Sequence, residues 1–303
     1  EGYVFRIKGR GTFVSPQIPE RSALIGFIAP DLKNPFIAEV FMGVEDSARK
    51  YGYDIVYVNS GESSERELLS LENLVKRDIK GIALYPSDDL VSKEDIFVKL
   101  LKKLKIPVVL IDRYFPNLLL DFVVSDNKNG GYQITRYLIE MGHKDIAFIC
   151  SSNLSTTSVL GRYEGHKLAL REAKIRFRED LVFNRLTSYK YFSFDKDVST
   201  VREILKTRSF SAIFCANELI ASVVYHAIKS ENLRIPDDIS VVGFGDTTIA
   251  LYLDPPLTTI KQEKFVMGNY AIDILMRKIK GDSSITQIYL PTCLVIRNSV
   301  GRR

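Results

Sequence analysis

From residue 23 onward the sequence alternates short apolar runs with amphipathic stretches, and that alternation restricts the fold more than any other feature of the chain. The run at 23–29, ALIGFIA, is continuously apolar, as expected of a strand buried on both faces of a parallel sheet. Residues 36–51 then place Ile37, Val40, Phe41, Val44 and Ala48 at helical spacing and stop at Gly52. The cycle repeats through strands at 54–58, 81–85, 108–112 and 122–124, with helices at 65–77 and 92–104. A second series follows: helix 129–141, strand 145–149, helix 161–173, a strand near 180–183, helix 195–207, strand 211–215, helix 217–231 and strand 239–243. A helix at 263–280, stopped by Gly281, and a last strand at 289–297 complete the pattern. Strands alternating with helices make parallel sheets with right-handed crossovers, so two such series predict an α/β chain of two doubly wound lobes.

The first fourteen residues are built differently. Tyr3, Phe5 and Ile7 alternate with Val4, Arg6 and Lys8, and Gly9-Arg10-Gly11 supplies a tight turn before Thr12-Phe13-Val14. This predicts a hairpin with a basic tip. Residues 15–21, with two prolines and no periodicity, read as a stiff linker and a domain boundary. Gly9 to Val14 resemble the end of the wing in gluconate-repressor-type (GntR) winged helices, whose last hairpin reads G-x-G-T-[FY]-V. The resemblance implies that the hairpin is the remnant wing of a DNA-binding domain, with Arg10 in or beside the minor groove and Arg6 and Lys8 nearer phosphates. The plainer reading is a solvated basic hairpin.

Composition limits the alternatives. With 46% hydrophobic and 26% charged residues the chain has the makeup of a soluble globular protein, and it holds no apolar run long enough to span a membrane. Cys150, Cys215 and Cys293 are scattered, which fits thiols in a reducing cytoplasm better than a disulfide frame, and the three histidines share no metal-ligand spacing. No cofactor is expected, because Gly243-x-Gly245 lacks the third glycine and the βαβ spacing of a dinucleotide loop. Nor does the chain contain a nucleophile elbow, a Walker loop or a Cys/His dyad, so an enzyme is not expected. A net charge of +5 permits nucleic-acid contact without requiring it.

Six further motifs occur in order: Asn34-Pro35-Phe36, Gly142-His143-Lys144, Arg162-x-x-Gly165, Ala216-Asn217-Glu218, 241–244 (VVGF) and 256–262 (PLTTIKQ). Together they resemble the sensor domain of lactose/galactose-repressor-type (LacI/GalR) regulators over residues 22–303. That resemblance implies type I periplasmic-binding-protein-like lobes, 22–126 with 263–285 and 127–254 with 286–303, crossed near 126, 257–262 and 285. It implies a ligand cleft in which Asn34, Asp112, Arg113, Arg162, Asn217 and Gln262 hydrogen-bond a sugar and Phe36 packs on its ring. Tyr191 and Phe192 are weaker candidates for a second aromatic wall. Plainer roles exist for each: a surface ion pair for Asp112 and Arg113, a helix brace for Arg162, an N-cap for Asn217, a hinge residue for Gln262 and a core residue for Phe36. The family often carries an acid where this chain has Gly245, which leaves Asp246 as the candidate carboxylate.

A GntR-type wing joined to this sensor resembles arabinose repressors of the AraR type, which implies a cytoplasmic homodimeric repressor responding to L-arabinose or another small sugar. Its operator contacts would lie mostly in helices that are not among these 303 residues. A monomeric sugar-binding protein for transport would share the lobes and cleft and is the alternative.

Overall fold

The computed structural model describes residues 4–14, 23–91, 93–151, 153–187, 192–207 and 209–303. The expected linker at 15–21 and the aromatic candidate Tyr191 lie outside them. At the amino-terminal side, β1 (Val4–Ile7) and β2 (Gly11–Val14) pair antiparallel, with Arg6 opposite Thr12 and Ile7 opposite Gly11. Arg6, Lys8 and Arg10 are exposed on this hairpin.

The remaining elements form two six-stranded sheets. The first takes β3 (Ala23–Ala29), β4 (Tyr53–Asn59), β5 (Ile79–Leu84), β6 (Val108–Ile111) and β7 (Phe122–Ser125) in spatial order β4-β3-β5-β6-β7. Its helices are α1 (Pro35–Lys50), α2 (Ser64–Val75), α3 (Asp88–Val91) and α4 (Glu94–Leu104). The second sheet takes β8 (Ile146–Ser151), β9 (Val182–Leu186), β10 (Ala212–Cys215), β11 (Ser240–Gly245) and β12 (Thr258–Gln262) in order β9-β8-β10-β11-β12. Around it lie α5 (Asn127–Glu140), α6 (Thr157–Glu172), α7 (Phe194–Lys206), α8 (Glu218–Ser230) and α9 (Thr248–Tyr252). After β12 the chain returns to the first lobe as α10 (Lys264–Ile279), which packs on α1.

The carboxyl-terminal segment departs from expectation. In place of one strand at 289–297 there are two, β13 (Gln287–Leu290) and β14 (Thr292–Val295), separated by Pro291. β13 extends the first sheet, parallel to β7, and β14 extends the second, antiparallel to β12. The last crossing therefore lies at Pro291 and not near 285, and residues 286–290 belong with the first lobe.

Each sheet is covered on both faces. In the first lobe Phe27, Val44, Ile272 and Leu275 pack on one side, and Leu71, Leu84, Phe97 and Phe122 on the other. Each lobe also presses one helix pair into backbone contact through glycine. A Cβ added at Gly268 would lie 2.2 Å from the Val40 carbonyl oxygen, and one added at Gly165 would lie 2.0 Å from that of Lys128. Both gaps are far inside van der Waals contact, so any side chain forces the helices apart. Gly165→Ala and Gly268→Ala should each lower the unfolding free energy by about 1–3 kcal/mol, read as a reduced urea midpoint; an unchanged midpoint would show that the helices separate freely.

Candidate functional site

Parallel strands all end on the same edge of a sheet, so the loops following them collect in one place. Here the carboxyl ends of both sheets face a shared cleft of about 530 Å3. That falls within the range of roughly 300–1,000 Å3 usual for small-molecule sites. The first lobe contributes Asn34 and Phe36 after β3, Glu62 after β4, Tyr85 and Asp88 after β5, and Asp112 and Arg113 after β6. The second contributes Thr156 and Arg162 from the start of α6, Thr187 and Phe192 after β9, Asn217 and Glu218 after β10, Gly245 and Thr247 after β11, and Gln262 from β12.

Seven of the eight residues expected at the ligand therefore line the cleft. Asn34 caps α1, its Oδ1 accepting from the Phe36 amide at 3.0 Å, and Asn217 caps α8 in the same way through the Ile220 amide at 2.9 Å. Both asparagines combine a capping role with a place in the cleft wall. Phe36 is half-buried, its ring edge-on to Tyr85.

Arg113 is no surface ion pair. Its side chain is largely buried, and Nη1 lies 2.9 Å from Asp88 Oδ1 and 3.2 Å from Glu62 Oε2, while the guanidinium stacks on the Tyr85 ring. Burial works against the charge, but Asp88 and Glu62 outweigh it and hold the Arg113 pKa well above its ordinary value. Burial also pushes the Tyr85 phenol far up, so it stays a neutral hydroxyl. Asp112 is 3% exposed, and its Oδ1 has no hydrogen-bond partner among the described residues. Arg113 Nε and Thr156 Oγ1 are likewise without one.

Arg162 is a brace as well as a wall. Nε donates to Asn127 Oδ1 at 2.9 Å, Nη1 to the Ala216 carbonyl at 2.6 Å and Nη2 to Gln262 Oε1 at 3.5 Å, and Phe244 lies under the guanidinium. Burial lowers its pKa to about 10, against the pull of Asp112 and Tyr85. Gln262 in turn donates to Ser125 Oγ at 2.9 Å.

Asp246 is the exception. It is not among the residues lining the cleft, and its carboxylate pairs with Arg297 at 2.6 Å. Beside it lies a buried acid that does line the cleft, Glu218, which sequence reasoning passed over because an acid in the first turn of a helix is commonplace. Its Oε1 accepts from the Asp246 amide at 2.6 Å and Thr259 Oγ1 at 3.0 Å, and Oε2 from the Thr247 amide and hydroxyl. Burial raises the Glu218 pKa against these bonds. The same carboxylate accounts for Gly245: that residue has φ +139°, and a Cβ there would meet Glu218 Oε2 at 3.2 Å. An aspartate at 245 would bring backbone strain and a second negative charge against the first. Among the described residues no group of three or more His, Cys, Asp or Glu could hold a metal ion.

Behind the first-lobe wall, Glu67 is fully buried and accepts from the amide and hydroxyl of Ser87 at 2.9 and 2.7 Å. Burial raises its pKa to about 8, with Glu62 adding to the rise. A carboxyl raised in this way binds its proton in the folded state while the unfolded chain has already lost it, so it removes stability as pH climbs from about 4.5 to 8. Glu67→Gln keeps an acceptor for Ser87 and carries no charge. Its melting temperature should gain on wild type progressively between pH 5 and pH 8; a gap that stays constant would mean that Glu67 does not titrate in this range.

The chain matches the family model of a periplasmic binding protein-like domain over residues 135–300. It is similar to the ribose operon repressor of Haemophilus influenzae, 33% identical over 279 residues that cover 91% of this chain and 80% of that one. Among solved structures it is similar to a LacI family transcriptional regulator from Enterococcus faecium with bound ribose, at TM-score 0.80 and 26% identity over 92% of this chain and 99% of that one. It is similar also to the transcription regulator CcpA of Lactococcus lactis, at TM-score 0.82 and 26% identity over 92% and 100% of the two chains. These relatives are regulators of transcription, not enzymes or transport proteins. With a third of its residues identical to such a repressor across nine-tenths of its length, this chain belongs to the LacI family of transcriptional regulators.

Proposed function

We propose that this chain is the effector-sensing part of a sugar-responsive repressor and that its cleft takes a pentose. The observation that carries the reading is the pair of unsatisfied buried groups on adjacent residues, the acceptor Asp112 Oδ1 and the donor Arg113 Nε. Leaving each unpaired costs about 1–3 kcal/mol. A hydroxyl both donates and accepts, so a ring carrying several hydroxyls satisfies groups of both kinds. Asn34, Arg162, Asn217 and Gln262 supply further amide and guanidinium groups, and Phe36 offers an aromatic face for C–H surfaces of the ring.

L-Arabinose is the effector of first choice, because the Gly9–Val14 motif resembles a GntR-type wing and its pairing with a LacI-type sensor resembles arabinose repressors. D-Ribose is the second, because the Haemophilus relative is a ribose operon repressor and the Enterococcus structure holds ribose. In this reading Arg6, Lys8 and Arg10 approach operator DNA, the chain acts as a cytoplasmic homodimer, and the sugar favours one arrangement of the lobes over another.

The test is thermal denaturation with L-arabinose, D-ribose and hexoses. A ligand at a hundred times its dissociation constant adds about 2.7 kcal/mol, and a rise with a pentose alone is expected; no rise with any sugar would sink the reading. Asp112 has φ +64°, a conformation that asparagine tolerates, so Asp112→Asn leaves the backbone undisturbed. It should weaken pentose binding at least about tenfold without lowering the melting temperature of the ligand-free protein.

A further inference from the structure

The turn that closes β11 is gripped from two directions. Gly245 and Asp246 both have positive φ, +139° and +54°, and consecutive residues in such conformations turn their amides to one side and their carbonyls to another. On the amide side lies Glu218 of the same lobe, which takes the Asp246 and Thr247 N–H groups. On the carbonyl side lies a residue of the other lobe. Lys264, the first residue of α10, donates from Nζ to the Gly245 and Asp246 carbonyl oxygens at 2.9 Å each. Among the described residues its third polar contact is Glu39 of α1, at 3.4 Å.

Lys264 is 4% exposed, and an ammonium is buried only where its three protons find acceptors. Two of those acceptors belong to the second lobe and one to the first. The lysine itself cannot move with the second lobe, because α10 and α1 are in backbone contact at Gly268 and Gly43. Any rotation between the lobes at this point must therefore stretch bonds to a desolvated charge. Gly245 itself and the residues either side of the gripped pair, Phe244 and Thr247, line the cleft.

We propose that Lys264 is a positioning residue that sets the angle between the lobes in the ligand-free protein and so holds the Gly245–Thr247 edge of the cleft in its binding position. Only the affinity part of its test rests on the sugar reading. Spin labels at Leu69→Cys on α2 and Arg171→Cys on α6, in protein carrying Cys293→Ser, report the interlobe distance by pulsed electron resonance. Cys150 and Cys215 are buried and stay unlabelled. The parent should give one narrow distance without ligand, Lys264→Met a broad or double one, and Lys264→Arg, whose guanidinium also reaches carbonyls, a narrow one again. Pentose affinity should fall about tenfold in Lys264→Met, following the lost fraction of the competent arrangement.

Glu39→Gln tests the link from its other end, at a partly exposed site that tolerates the change, and should broaden the distance to a lesser degree. A narrow distribution in both Lys264→Met and Glu39→Gln overturns the proposal, and if Lys264→Met does not fold, Glu39→Gln decides alone. A broadened distribution with no pentose binding to any of the proteins would sink the sugar reading and leave the coupling intact.

Discussion

A guanidinium removed from water has to be solvated by whatever surrounds it, and at Arg162 the groups in direct contact are dipoles, with the nearest carboxylates acting only from a distance. An amide oxygen of α5, a backbone carbonyl at the end of β10, an amide oxygen at the end of β12 and the face of Phe244 from β11 all converge on it. None of these elements can shift without leaving part of the charge bare, and the penalty for that is severe. The second-lobe half of the cleft takes its shape from this requirement. The first lobe meets the same problem at Arg113 with acids, Glu62 and Asp88. One wall is thus built around a cation among neutral acceptors and the other around a cation outnumbered by carboxylates.

Much of this is legible in the amino-acid sequence. The alternation of apolar runs and amphipathic stretches locates the strands and helices to within a few residues, since a strand buried on both faces has no polar positions to blur its limits. The site was readable to the extent that residues at strand ends must gather on one edge: Asn34, Asp112, Asn217 and Gln262 follow that rule. What the rule does not supply is side-chain direction. Asp246 follows its strand as well as any of them, yet φ +54° turns its carboxylate to Arg297, and φ is not written in the residue type. Glu218 is hidden for the opposite reason, because the donors to it come from residues about thirty positions later that only the fold brings near. Tyr85 and Glu62 share that difficulty, being ordinary residues until Arg113 is placed between them.

The split of the last strand was also signalled, by Pro291 in the middle of the run. Proline has no amide to give to a ladder, so it marks a break in pairing. Here the break is a change of partner: the residues before it join one sheet and those after it the other.

That single-residue crossing bears on the order in which the chain acquires its structure. Each lobe is missing an edge strand until residues 287–295 arrive; in the first lobe they pair with a segment made much earlier, 122–125, and in the second with a nearer one, 259–262. Long separations in sequence make such pairings slow, and an unpaired sheet edge is exposed to wrong partners in the meantime. On a ribosome, therefore, the lobes mature together, both left open along one side until residues 287–295 have emerged, and for that interval a chaperone that shields bare strand edges has two places to act.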